Sequence, residues 1–410
     1  MQFKTTFNKL FNVFLRLGGI GSKFIIITLM SKYFDVDVFG NYGLILSTIT
    51  LLIFILGLDF YNFSIRDILK SSRLQENVNK VISSILLYIF TYIIFIFLGY
   101  FFLREITYIK PFIFLIIFLG ISEHLSQEIY RLLIGFKKVL LANILLFIRT
   151  FGWGSVIIFD YYYGNNITIE KILKLWMFTN FLTILYVFVY VVFNNFKNIL
   201  NYKININWIK KGMKISSFFF VATISLKLIE YANRYIVDYF MGEELAGIFL
   251  FYSNISILIT VYVNTIVISF ELPDLISFSN TTKIFQLLKN FKKNLLIHTV
   301  LSSIFILLII KPLLIWQDKE EFQNYLPLIY FFVFGVALMN YSLLYHFKLY
   351  IYHKDKSLLK SLVISAIISI IITIIFSYLL GVYGTAIAFV LTSLTLFYLR
   401  YFEAKKIIYD

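Results

Sequence analysis

Apolar runs of about twenty residues recur along the chain at roughly 10–32, 40–61, 81–103, 111–134, 139–161, 172–193, 215–238, 246–270, 294–316, 327–347, 359–380 and 383–402. Short polar stretches separate them. The hydrocarbon core of a bilayer is about 30 Å thick and a helix rises about 1.5 Å per residue, so each run is long enough to cross once. Backbone groups in lipid must be satisfied within the segment, and these runs are twice the length of barrel strands and do not alternate. The pattern predicts an all-α polytopic membrane protein of about twelve transmembrane helices.

Composition agrees. Of the 410 residues 60% are hydrophobic and only 14% charged, against about 45–50% and about 25% in soluble domains, and mean hydropathy is +0.85. Too few polar groups exist to cover a water-exposed surface. This excludes a soluble catalytic domain, a long disordered tail, and a nucleic-acid surface as the meaning of the +15 net charge. Zero cysteines exclude disulfides, zinc-thiolate sites, iron–sulfur clusters and cysteine nucleophiles. Four scattered histidines, His124, His298, His346 and His353, do not suggest a metal site. The stretch MQFKTTFNKLFNVFLRLGGIGSK is interrupted by Arg16 and Lys23 and lacks a small-residue cleavage site, so it is expected to be the first span rather than a signal peptide.

Basic loops stay on the cytoplasmic side. The two termini and every second loop hold 24 Lys and Arg, counting Arg400 near the end of the last span with the C-terminal group, whereas the opposite set holds 6. Both termini are thus expected in the cytoplasm, as an even number of spans requires. The four prolines, Pro111, Pro273, Pro312 and Pro327, lie near span ends, so unbroken helix interiors are expected.

The segment 194–214 divides the spans six and six. An internal echo supports the division: Tyr33-Phe34 precedes Gly40 and Tyr239-Phe240 precedes Gly247, at separations of seven and eight residues. Two six-helix bundles, 1–200 and 201–410, related by a pseudo-two-fold axis along the membrane normal, are the expected architecture.

Ionisable residues at membrane depth are costly and by default mark function. In the first span Arg16 and Lys23 share a helix face, and in the seventh Lys227, Glu230 and Arg234 do so. The fourth carries Glu123, His124, Gln127, Glu128 and Arg131, and the fifth Arg149. Arg16, Lys23, Arg149, Lys227 and Arg234 are the expected lining of a central cavity for an anionic head group, because guanidinium and ammonium groups match phosphate and carboxylate. Glu123, His124, Glu128, Arg131 and Glu230 form either a charge relay, with His124 titrating, or structural pairs: Lys227 with Glu230, Glu230 with Arg234 and Glu128 with Arg131 have intrahelical pairing distances.

Short motifs carry a resemblance across nearly the whole chain. YFDVDVFGNYGLILS (33–47), GLDFYNFSIRD (57–67), YANRYIVDYFMGEELAGIFLFY (231–252), ELPDLISF (271–278) and GVYGTAIAFVLTSL (381–394) resemble segments of the polysaccharide flippases of the multidrug/oligosaccharidyl-lipid/polysaccharide exporter superfamily. Asn233 stands where that family usually has Asp, and Phe249 where Tyr is common, while Arg234 is kept. The resemblance implies alternating-access transfer of a polyprenyl-diphosphate-linked oligosaccharide repeat unit, such as an O-antigen unit, from the cytoplasmic to the outer leaflet of a bacterial inner membrane. It implies a monomer without cofactor, coupled to an ion gradient or the membrane potential, that hands its glycan to polymerase machinery. The rival readings are a multidrug or small-metabolite antiporter of the same fold, a membrane glycan polymerase, and a non-transporting scaffold. Cationic drugs would be repelled by a basic cavity, and no external segment carries the paired carboxylates a glycan-processing enzyme would present.

Overall fold

The computed structural model describes residues 15, 18–19, 21–22, 24–70, 73–277 and 283–407, without the side chains of 194–200. Its regular structure is helical throughout. In chain order the elements are α1 (Phe24–Tyr33), α2 (Val36–Gly57), α3 (Tyr61–Lys70), α4 (Leu74–Leu103), α5 (Ile113–Gly135), α6 (Val139–Tyr162), α7 (Ile169–Leu200), α8 (Ile206–Val263), α9 (Ser269–Ser277), α10 (Lys283–Gln317), α11 (Glu320–Asn324), α12 (Leu328–Ile351) and α13 (Asp355–Lys405). Among the described residues nine helical segments are long and apolar enough to cross a membrane.

Two of the nine are far too long to cross once. The segment Ile206–Ser277 has 72 residues and would measure about 108 Å if straight. It breaks at Gly242, with φ 85° and ψ 176°, a region that essentially only glycine occupies. Arg234 and Asn254 stand on either side of this break and are hydrogen-bonded at 2.9 Å, which a straight helix could not allow, so the chain turns back there. α13 does the same at Gly381, φ 61°, where Ser377 and Thr385 hydroxyls come within 2.6 Å. Each of these segments therefore supplies two crossings.

Pro312 lies near the end of α10 and Pro273 inside the short α9, and both helices run through them unbroken. In a membrane-embedded helix neighbouring groups re-satisfy the carbonyl that proline frees. A π-helical turn over Asn264–Ile268, unforeseen from the pattern, joins α8 to α9.

Met1–Tyr33 and Ile45–Phe220 make one compact unit, Phe34–Leu44 and Val221–Asp410 the other. The boundary between these units runs through α2 and through α8. The start of α8 belongs with the first unit because Trp208 packs among Phe60, Phe63 and Tyr88 and donates its indole hydrogen to Asp67 at 2.8 Å. In that unit α2, α4, α5 and α7 close around Ile49, Leu56, Ile116 and Leu173. In the second unit α8, α10 and α12 meet around Val263, Leu295 and Leu344.

Hydroxyls inside the helices bond back to carbonyls one turn earlier, as Thr50 does to Leu46 and Thr392 to Ala388, so they cost little at membrane depth. Outward faces are apolar: Phe90, Phe97 and Phe102 of α4 are more than half exposed. Such faces require hydrocarbon, not water.

Candidate functional site

The first unit holds a dense polar cluster between α4, α5, α6 and α7. Glu123 is almost fully buried; one carboxylate oxygen lies 3.3 Å from the Arg149 guanidinium, and the other accepts from Trp176 Nε1 at 3.1 Å and Asn180 Nδ2 at 3.0 Å. One turn on, Glu128 accepts from the Tyr88 hydroxyl at 2.8 Å and from Arg131 of its own helix. Arg131 also lies over the Tyr61 ring, 3.6 Å from its centroid. His124 sits between the two glutamates, its Nδ1 2.5 Å from the Tyr92 hydroxyl and its Nε2 3.8 Å from Glu128.

The resulting pattern is one guanidinium to each glutamate. Glu128 with Arg131 is the intrahelical pair that the spacing suggests. Glu123 with Arg149 joins α5 to α6, and helical periodicity cannot show it. Burying two such pairs is tolerable because the remaining carboxylate lone pairs are filled by Tyr88, Trp176 and Asn180.

The second unit holds a cavity of about 240 Å³ framed by both arms of α8, by α12 and by the last arm of α13. Arg234 enters it from α8. Its Nη2 donates to Asn254 at 2.9 Å, and its guanidinium lies over Tyr231, 4.7 Å from the ring centroid. One turn earlier Glu230 also lines the cavity, and its carboxylate is held by Lys227 at 2.6 Å. Lys227 thus acts within this pair and Arg234 reaches the cavity.

Arg400 of α13, only 4% exposed, lines the same cavity. Its Nη1 donates to Ser342 Oγ of α12 at 2.7 Å. His346, one turn along α12 from Ser342, lines the same space, as do Asn340 and Thr260, which are joined by a 3.0 Å hydrogen bond. Asn233, Ser253, Ser256 and Asn264 add amide and hydroxyl groups. Asn264 opens the π turn, a distortion often found at functional sites.

Arg400 is a cavity residue that sequence reasoning misses, because an arginine near the end of a span reads as a cytoplasmic loop charge. The signal was nonetheless present: Thr385, Ala388, Thr392, Leu396 and Arg400 follow one another at helical spacing and are all buried. A stripe of small and polar residues on an otherwise apolar helix faces protein, not lipid, and Arg400 ends it. Of the other expected cavity residues, Arg149 stands in the first unit beside Glu123. Arg16 and Lys23 lie outside the described residues.

No protein-family model matches the chain, and no curated protein matches it in sequence. Solved structures do. An inward-facing multidrug resistance transporter of the MATE family within the MOP superfamily has a TM-score of 0.74 at 11% identity, over 94% of this chain and 93% of that one. A mutant of the Vibrio cholerae MATE transporter VcmN gives 0.63 at 13%, over 98% and 95%. A MOP superfamily transporter from Pyrococcus furiosus, described as having a binding pocket of reversed polarity, gives 0.63 at 11%, over 96% and 94%. MATE transporters have twelve helices in two halves. Similarity over nearly the full length of both chains gives this all-helical protein the fold of the MATE-like transporters of the MOP superfamily.

Proposed function

We propose that the protein is a flippase that moves a polyprenyl-diphosphate-linked oligosaccharide from the cytoplasmic to the outer leaflet of a bacterial inner membrane by alternating access, with both termini in the cytoplasm. The observation that carries this reading is the cavity of the second unit. Arg234 enters a space of about 240 Å³ that Arg400 also lines, together with amide and hydroxyl side chains from Asn233 to Asn340 and apolar ones such as Phe332 and Phe389. That combination suits a sugar diphosphate, since the guanidinium matches phosphate oxygens and the amides and hydroxyls exchange hydrogen bonds with sugar hydroxyls. The lipid tail would stay in hydrocarbon while the charged head crosses shielded from it.

A transporter of cationic drugs fits less well. Lys227, Arg234 and Arg400 outnumber Glu230 around this cavity, and a cation there would meet repulsion.

Deleting the gene and labelling lipid-linked oligosaccharides tests the reading. Completed repeat units are expected to accumulate on the cytoplasmic leaflet while surface polysaccharide is lost, and Arg234→Ala is expected to reproduce this. Completed units reaching the outer leaflet without polymerisation would replace the flippase by a polymerase. No change in either pool, with sensitivity to cationic dyes instead, would favour the drug exporter.

A further inference from the structure

Charge balance around the cavity points to a ligand. Glu230 is the single carboxylate among the described residues that line it, and Lys227 already holds it at 2.6 Å. Arg234 of α8 and Arg400 of α13 bring two further positive charges to the same lining. The nearest acid along α13 turns away, because Glu403 accepts from Ser357 and pairs with Lys406 at 2.6 Å.

Arg400 is the more exacting case. It makes no ion pair among the described residues, its Nη1 donates to a neutral hydroxyl, and its Nε is buried with no hydrogen-bond partner among them. A guanidinium taken out of water without a counter-charge costs several kcal/mol. Water can satisfy a donor but cannot supply the missing negative charge. Two more polar atoms of the same cavity lack partners, His346 Nδ1 and Asn340 Nδ2. His346 lies within electrostatic reach of Arg400.

We infer that Arg400, with Arg234, Asn340 and His346 lining the same cavity, forms a subsite for a phosphate-type oxyanion. Two guanidiniums in one cavity suit a ligand carrying two negative charges, and the fork of Arg400 Nε and its remaining Nη hydrogens suits paired phosphate oxygens. Ser342 holds the guanidinium across the cavity wall and acts as a positioning residue. The inference rests on the proposed flippase reading for the source of the oxyanion, but not for the subsite.

The test uses the full-length protein in phosphatidylcholine nanodiscs and measures dissociation constants and thermal midpoints. Three probes separate the sources: inorganic diphosphate, polyprenyl diphosphate, and nanodiscs in which phosphatidylglycerol replaces part of the phosphatidylcholine. In Arg400→Met, affinity for the true source is expected to fall about 10- to 100-fold, the range for a lost charged hydrogen bond. Because the empty site strands a charge, the same variant without ligand is expected to melt higher than wild type, which a purely structural arginine would not do. Arg400→Lys keeps the charge without the fork and is expected to fold and to bind with intermediate affinity. It carries the test should the methionine variant not fold.

Polyprenyl diphosphate binding that depends on Arg400 supports both subsite and flippase. Dependence seen only with inorganic diphosphate or phosphatidylglycerol supports the subsite and overturns its lipid-linked source. Affinities for all three probes that ignore Arg400, or an Arg400→Met protein that melts lower with its ligand response intact, overturn the subsite and leave the flippase reading to its own experiment.

Discussion

Gly40 of α2 and Gly247 of α8 meet backbone to backbone: a Cβ on Gly247 would stand 3.1 Å from the amide nitrogen of Gly40 and overlap the carbonyl oxygen of Val36. A Cβ on Gly40 would in turn overlap the carbonyl oxygen of Glu243. Beside this crossing Asn41 Nδ2 donates to Glu243 Oε2 at 2.6 Å. These are the two glycines that the internal sequence echo sets at equivalent places in the two halves. Small residues allow such close helix approach in membranes, where packing replaces the hydrophobic effect between helices.

Gly40→Ala and Gly247→Ala should each separate the helices, since the colliding atoms are backbone and cannot rotate away. A cost of about 1–3 kcal/mol is expected for each, read as a lower thermal midpoint of the purified protein. Gly21→Ala is the control: a Cβ there meets nothing within 4 Å among the described residues, so stability should hold or rise slightly.

The Glu123–Arg149 pair makes a second prediction. Both side chains are buried, so Glu123→Ala should strand a guanidinium and cost about 3–5 kcal/mol. Glu123→Ala with Arg149→Leu should cost less than either single change. A double-mutant cycle on thermal stability checks this, and additive losses would show that the two charges act independently.

Gly242 and Gly381 carry the two chain reversals with φ 85° and 61°. Space around both is open, with nothing within 4 Å of an added Cβ. An alanine there would be strained by backbone conformation alone, by about 1–3 kcal/mol. A lower expression level and a lower melting temperature of Gly242→Ala and Gly381→Ala than of the wild type check this.

Acid stability should depend on Asp67 of α3. Burial by itself would raise its pKa, but hydrogen bonds from Lys80 and Trp208, and the charges of Lys80 and Lys211, outweigh burial and hold the carboxyl below its ordinary value. Its folded pKa lies below the unfolded value of about 3.9, so its stabilisation is present above that value. It is lost as pH falls through the depressed folded value. Asp67→Asn should lower the midpoint at neutral pH and flatten its decline on acidification.

The sequence by itself determined the solvent and the helices. Lipid imposes one rule on the backbone, internal satisfaction, so apolar length alone located the spanning runs. Charge spacing on a single helix likewise showed Glu128 with Arg131 and Lys227 with Glu230. The tertiary structure decided what crosses between helices: Glu123 with Arg149, the turn that brings Asn254 to Arg234, and the burial of Arg400 beside Ser342. Along the chain an arginine at the end of a span looks like a loop charge. Whether it faces water or a cavity depends on which helices lie against it, and that follows from packing among segments far apart in sequence.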